Sequence, residues 1–278
     1  MKVINASVQE IKQAPGIRGI YQHIEKCGRT CYKSEDKITE DSAMKFFQGL
    51  VNRKHFAMLE HGTVYFKFPF FPNYEVQEAI SKVMNSNYSF TKVGEDGDLY
   101  VTTNMRVLME NVPNMVDSLL YEYALEEASN NHIKKYTAKF TISRGIANEF
   151  VRHRVFSFAQ ESTRYCNYSK DRFGGELTFI RPEWLKGLKG DGIDQEAESI
   201  WLNAMAMSED YYFDLVNLGV KPQNARGVLP LDLKTELIMT GTTDQWEDFW
   251  NLRMREITGP AHPDAKAIAE EWYNIVKP

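Results

Sequence analysis

Apolar residues recur at helical spacing in several stretches of the chain. Over 39–53, Ala43, Phe46, Phe47 and Leu50 share one face, and Glu40 and Asp41 fall in the first turn, where the helix dipole favours acids. Similar spacing predicts helices over 75–85, 113–128, 144–155, 194–218 (with Gly219 as its stop signal), 244–252 and 263–276. Val64, Phe66 and Phe68 alternate with Tyr65 and Lys67, which predicts a strand ended by Pro69 and Pro72. Short runs over 89–93 and 99–103 flank Gly94-Glu95-Asp96-Gly97 and predict a hairpin. Alternation over 134–143 predicts another strand, and 177–181 a short one stopped by Pro182. Residues 223–228 read as a turn of helix before Pro230, and 157–175 as irregular chain. Helices dominate and the strands do not alternate with them regularly. The expected class is therefore α+β, a mixed sheet flanked by helices, and not a βαβ array.

The length, 278 residues, fits one large domain or two small ones. A hydrophobic fraction of 43% and a charged fraction of 26% are those of a folded protein, so disorder is expected only at the ends and in loops. A formal net charge of −5 disfavours extended nucleic-acid binding but leaves room for a local basic pocket. The cysteines, Cys27, Cys31 and Cys166, are odd in number and lack a C-x-x-C pair, against a disulfide framework or a closed zinc site. The six histidines show no metal-ligand spacing. No leader-like N-terminus is present and no apolar run approaches about 18 residues, so a cytoplasmic protein off the membrane is expected.

The densest cluster of functional side chains is 147–165, ANEFVRHRVFSFAQESTRY. On the predicted helix, Arg144, Asn148 and Arg152 share a face, and Glu149 and His153 share the next. Arg154 follows near the helix end, and the loop adds Gln160, Ser162 and Arg164. Guanidinium forks match phosphate and carboxylate oxygens with paired hydrogen bonds. For an arbitrary R-H-R tripeptide the commoner explanation is plainer: solvated cations complementing a helix C-terminus.

The surrounding string is more specific. Arg152-His153-Arg154, seven residues, then Ser162, continued by Thr163-Arg164-Tyr165, resembles the signature of the flavin-dependent thymidylate synthases, the ThyX family. His55 with Leu59-Glu60-His61 is similar to the family's upstream H-x-x-x-L/F-E-H segment. Ala225-Arg226 with Val228-Leu229-Pro230-Leu231 resembles its A-R-x-x-L-P-L segment, and Asn251-Leu252-Arg253 its N-L-R segment. The resemblance covers about 55–67, 139–165 and 223–253. Against it, 69–135 reads as an insertion in a single domain spanning 1–278.

The resemblance implies a methyltransferase that moves a methylene group from 5,10-methylenetetrahydrofolate to C5 of dUMP. FAD carries the hydride, NADPH is the reductant, and no cysteine nucleophile is used. It also implies a homotetramer with active sites at subunit interfaces. Arg253 is the implied catalytic residue: a guanidinium stabilises the N3-deprotonated pyrimidine and so pushes electron density toward C5. The implied dUMP site is Glu149, Arg152, Gln160, Glu161, Ser162, Arg164, Arg226 and Arg253. The implied FAD site is His55, Arg152, His153, Arg154, Gln160, Thr242 and Asp248. No Gly-rich Rossmann turn is present to take the pyrophosphate.

The chain also departs from the family. Ala57 stands where a small hydroxyl residue is common, Thr242-Thr243-Asp244 replaces an Asn-x-Arg segment, and Asp248 an Asn or His. Simpler roles stay open for single residues: an Arg253 ion pair with Glu247 or Glu256, Arg226 as a helix-end charge, and a structural His55. So do two other functions. One is a flavoprotein of the same fold acting on another pyrimidine nucleotide. The other is a nucleotide or single-strand binder that interleaves Arg152, Arg154 and Arg164 with Phe156, Phe158 and Tyr165.

Overall fold

A computed structural model describes residues 1–70, 72–164, 168, 175–186 and 192–277. The chain opens with β1 (Lys2–Ile4), β2 (Ser7–Glu10), α1 (Gly16–Tyr32), α2 (Ser42–Asn52), a 3-10 stretch (Phe56–His61) and β3 (Thr63–Phe68). Next come α3 (Tyr74–Met84), β4 (Phe90–Val93), β5 (Leu99–Asn104), α4 (Met105–Asn111), α5 (Val116–Tyr123) and β6 (Ala124–Leu125). They lead to β7 (Lys135–Ser143), α6 (Arg144–Phe150), β8 (Ser157–Gln160), β9 (Thr178–Ile180), α7 (Glu183–Lys186) and α8 (Gly192–Asn217). The last elements are α9 (Pro222–Ala225), β10 (Lys234–Thr242), α10 (Thr243–Arg253) and α11 (Pro263–Val276).

The sheet that carries the site runs β2-β7-β10-β8, antiparallel throughout. Its middle strand β10 is buried on both faces. On one side, Leu237 and Met239 join Phe140, Phe150, Trp246, Phe249, Trp250 and Trp272 from β7, α6, α10 and α11. On the other, Ile238 packs with Ala159, Ile11 and Cys27 of α1. Burial of each such large side chain contributes roughly 1.5–3 kcal/mol. Gly241 is forced by this packing, because a Cβ there would lie 2.4 Å from the Phe156 ring.

A buried polar chain crosses the same sheet. His23 Nε2 lies 3.0 Å from Thr137 Oγ1, Thr137 Oγ1 lies 2.8 Å from Thr240 Oγ1, and Thr240 Oγ1 lies 2.8 Å from His61 Nδ1. These bonds tie α1 and the 3-10 stretch to β7 and β10. Burial depresses both imidazoles, His23 to about 3 and His61 to about 4.

A second antiparallel sheet runs β4-β5-β3-β6. The segment 69–135 supplies every strand of it except β3, and α3, α4 and α5 as well. Its core is continuous with α1 and α2 through Ile20, Ile24, Phe47, Phe66 and Val101. β1 and β9 form a parallel pair beside α8, over Phe179, Trp201 and Tyr212.

The α+β reading holds, with sheets flanked by helices. Two predicted helices are shorter in the structure. Residues 113–128 form a 3-10 turn, α5 and the short strand β6. The helix predicted over 144–155 ends at Phe150, because Phe156 must turn into the core and β8 must pair with β10. The one-face grouping of Arg144, Asn148 and Arg152 therefore stops short of Arg152.

Candidate functional site

A capping box starts α10. Thr242 Oγ1 accepts from the Gln245 amide at 3.3 Å, and Gln245 Oε1 accepts from the Thr242 amide at 2.9 Å. Trp246, Phe249 and Trp250 bury the inner face of the helix and set its axis, and Arg253 falls in its last turn. Arg253 Nη1 donates to Glu149 Oε2 at 2.6 Å, Nη2 to the Glu149 carbonyl at 3.1 Å, and Nε to His153 Nε2 at 3.1 Å. The Glu247 and Glu256 partners considered for Arg253 are engaged elsewhere, Glu247 with Arg255 and Glu256 with Lys266.

His153 lies in the turn after α6, edge-on to Phe249 at 5.1 Å and Phe156 at 6.3 Å between ring centres. Burial, reinforced by the Arg253 charge, lowers its pKa to about 4. Its Nε2 accepts from a guanidinium N–H, so the neutral ring carries its proton on Nδ1. Arg152 and Arg154 flank it and are exposed.

A second group follows β8. Gln160 Nε2 donates to Thr235 Oγ1 at 3.4 Å. Glu161 is buried, with its carboxylate on Lys234 Nζ at 2.6 Å and the Tyr168 hydroxyl at 3.3 Å. The Ser162 amide donates to the Cys31 carbonyl at 3.1 Å, and Ser162 Oγ accepts from the Arg164 amide at 3.3 Å. Arg226, exposed in the 3-10 turn after α9, donates from Nη1 to Thr163 Oγ1 at 3.2 Å. Beneath this loop Glu236 meets Lys33 at 2.5 Å, Lys139 at 2.7 Å and Lys234 at 3.5 Å. Burial alone would raise the Glu236 pKa, but the three ammonium groups prevail and hold it at about 2. A cavity of ≈ 420 Å³ adjoins, lined by Lys33, Glu161, Thr178 and Lys234 among others.

The fold thus unites Glu149, His153 and Arg253, and separately joins Arg226 to the Ser162–Arg164 loop. In the chain the His153 turn precedes β8 and the Ser162–Arg164 loop follows it, with four extended residues, about 13 Å of strand, between them. His55 is exposed at the start of the 3-10 stretch, with exposed Ala57 just after it. Thr242 is buried with its hydroxyl in the cap, and Asp244 and Asp248 are exposed on α10. Tyr165 and Cys166 lie outside the described residues.

Sequence reasoning missed Lys33, Lys139, Lys234 and Glu236. The signal was present, since Lys139 and Glu236 sit on neighbouring strands and Lys234-Thr235-Glu236 puts opposite charges on one strand face. Using it required recognising β10 as a strand.

The sequence profile of the family described as "Thymidylate synthase complementing protein" matches residues 114–278. The likeness around His55 lies outside that span. Flavin-dependent thymidylate synthases from Pyrococcus furiosus and Pyrococcus abyssi are 33% and 26% identical to this chain, over 41% and 62% of it. The aligned parts make up 43% and 60% of those relatives, so the chain spans about half their length. A Synechocystis flavin-dependent thymidylate synthase is 26% identical over 60% of this chain and 80% of its own. A solved UMP/dUMP methylase, PolB from Streptomyces cacaoi bound with 5-Br dUMP, covers 99% of this chain and 93% of its own at 15% identity. Its TM-score is 0.45, too loose an overlap to speak for the fold. The profile match takes in more than half of the 278 residues, and the chain belongs to the thymidylate synthase complementing protein family.

Proposed function

We propose that this protein is a flavin-dependent thymidylate synthase that converts dUMP to dTMP, with 5,10-methylenetetrahydrofolate as one-carbon donor and NADPH as reductant. One observation carries the reading: Arg253 is bonded to both Glu149 and His153, roughly a hundred residues earlier in the chain. The N-L-R segment and the R-H-R segment, found separately in the sequence, thus form one group.

The chemistry of that group fits its role. The three internal bonds of Arg253 use three of five guanidinium N–H groups, which leaves two for a ligand oxygen among the described residues. A fixed cation beside the pyrimidine O2–N3 edge favours the deprotonated ring and so a nucleophilic C5. Neutral His153 adds no second charge to compete for that anion. Ser162, Arg164 and Arg226 supply hydroxyl and guanidinium donors for the phosphate. Glu161, tied to Lys234, holds the loop that carries them.

The donor set also suits FAD. Arg152 and Arg154 are exposed guanidiniums two residues apart, fitted to a pyrophosphate, and His55 is exposed for a ring contact. Asp248, a carboxylate, suits a hydroxyl or ring N–H better than a phosphate. When bound, FAD supplies the hydride.

The separation across β8 supports sites shared between copies, with one copy's Arg253 group facing another's Ser162–Arg226 group. A homotetramer accommodates such sites. The test is to incubate the protein with FAD, NADPH, dUMP and methylenetetrahydrofolate and to measure dTMP. A flavin-loaded protein that yields no dTMP overturns the proposal. Near-normal turnover in Arg253→Ala overturns the role given to Arg253.

A further inference from the structure

The R-H-R segment places a histidine between two exposed arginines, yet the structure turns His153 inward. Its Nε2 meets Arg253 Nε at 3.1 Å, and its ring edges meet Phe249 and Phe156. We propose that His153 is a positioning residue for Arg253, whose Nε–H it accepts so that the guanidinium plane, and the N–H groups left for the pyrimidine, keep one orientation. This inference rests on the catalytic reading of Arg253 above.

The geometry explains why Glu149 alone is insufficient. Its carboxylate and carbonyl take Nη1 and Nη2 at the far end of the fork. Two bonds at that end leave the guanidinium plane able to tilt about the line through Nη1 and Nη2. Nε lies off that line, so its bond to His153 is a third anchor that stops the tilt. Phe249 comes from α10, the helix that carries Arg253, so imidazole and guanidinium are held to the same element. The charged groups facing His153 are Arg253 directly and Glu149 one bond further on. A protonated imidazole would lose its acceptor and repel Arg253, and burial together with that same charge opposes protonation down to about 4.

The test compares His153→Phe and His153→Gln in the FAD-loaded enzyme, reading kcat, the KM for dUMP, flavin content and Tm. Phenylalanine keeps a ring but has no acceptor, whereas the glutamine Oε1 can occupy the place of Nε2. The expected result for H153F is a roughly ten- to hundred-fold loss in kcat, with flavin content retained and KM changed by less than about three-fold. H153Q should recover most of that loss. H153F turning over within about two-fold of the parent overturns the proposal, and so does flavin loss shared equally by both variants. If H153F fails to fold, His153→Asn replaces it, because its shorter amide cannot reach Arg253 Nε. Equal turnover of H153N and H153Q then overturns the proposal. Arg253→Ala separates the two layers. Turnover retained in R253A removes the catalytic reading, whereas an inactive R253A beside a fully active H153F removes only the positioning role.

Discussion

The chemical role proposed for Arg253 is separable from its contribution to stability. Its ion pair with Glu149 is partly exposed, at 18% and 29% for the two side chains, so water screens it and its net contribution to stability is about 1 kcal/mol or less. Glu149, once unpaired, can hydrate. Arg253→Ala should therefore unfold within a few degrees of the parent while dTMP formation is lost, and a thermal melt beside the turnover assay checks both. A large fall in Tm would mean that the guanidinium holds α6 to α10 and would leave the loss of turnover uninformative. At this scale the sequence was legible in which residues gather: Arg226 lies against the loop of Ser162 and Arg164, and Arg253 against the R-H-R segment. The carboxylate partner of Arg253 was not legible. Glu247 and Glu256, near in sequence, were natural candidates, but the helix directs them to Arg255 and Lys266. Long-range pairs such as 149 with 253 depend on the packing of α6 against α10, which no local pattern encodes.

Among the elements, α10 joins cap chemistry to site geometry. Thr242 begins the helix and Arg253 ends it, so the resemblance that marks Thr242 as a flavin contact competes with a structural duty. Thr242 is 1% exposed, and its hydroxyl already accepts from the Gln245 amide. Thr242→Ala should cost about 1 kcal/mol, read from denaturant unfolding, with flavin content unchanged. A loss of flavin without a loss of stability would restore the direct contact. The elements the sequence concealed have physical reasons. β10 is covered on both faces, so the period-2 alternation that revealed β3 and β7 is missing from Leu237 onward. β8 is four residues long and lies among motif residues that read as loop. α1 is hidden in the sequence although Ile17, Ile20, Tyr21, Ile24 and Cys27 follow helical spacing, because Gly16, Gly19 and Pro15 obscure its start. The end of α6 was misplaced because Val151 to Val155 continue the helical pattern while β10 demands the chain for β8.

For the whole molecule, acid should act first through buried imidazoles. His23, His61 and His153 are depressed to about 3, 4 and 4 from an ordinary 6.5. The unfolded chain binds more protons between those values, so the contribution is complete above about 6.5 and is lost as pH falls toward 4. Glu236, held at about 2, adds a second loss below about 4.5. Unfolding free energy from denaturant titrations should drop by a few kcal/mol between pH 7 and pH 4.5. A flat profile there would mean that these histidines are protonated in the folded state. Assembly can be tested through the division of the site at β8. One group ends in Arg253 and the other in Arg226, and if each active site takes one group from each of two copies, the defects of two inactive variants can be segregated. In a two-fold pair of Arg253→Ala with Arg226→Ala, one site carries both lesions and the other carries none. Random reassembly makes half of the pairs hybrid, so about a quarter of the parental sites should return. Unfolding, mixing and refolding the two inactive proteins together should then restore dTMP formation near that fraction, whereas each refolded alone stays inactive. Sites built within one copy would carry a lesion in every case, and the refolded mixture would stay as inactive as its parts.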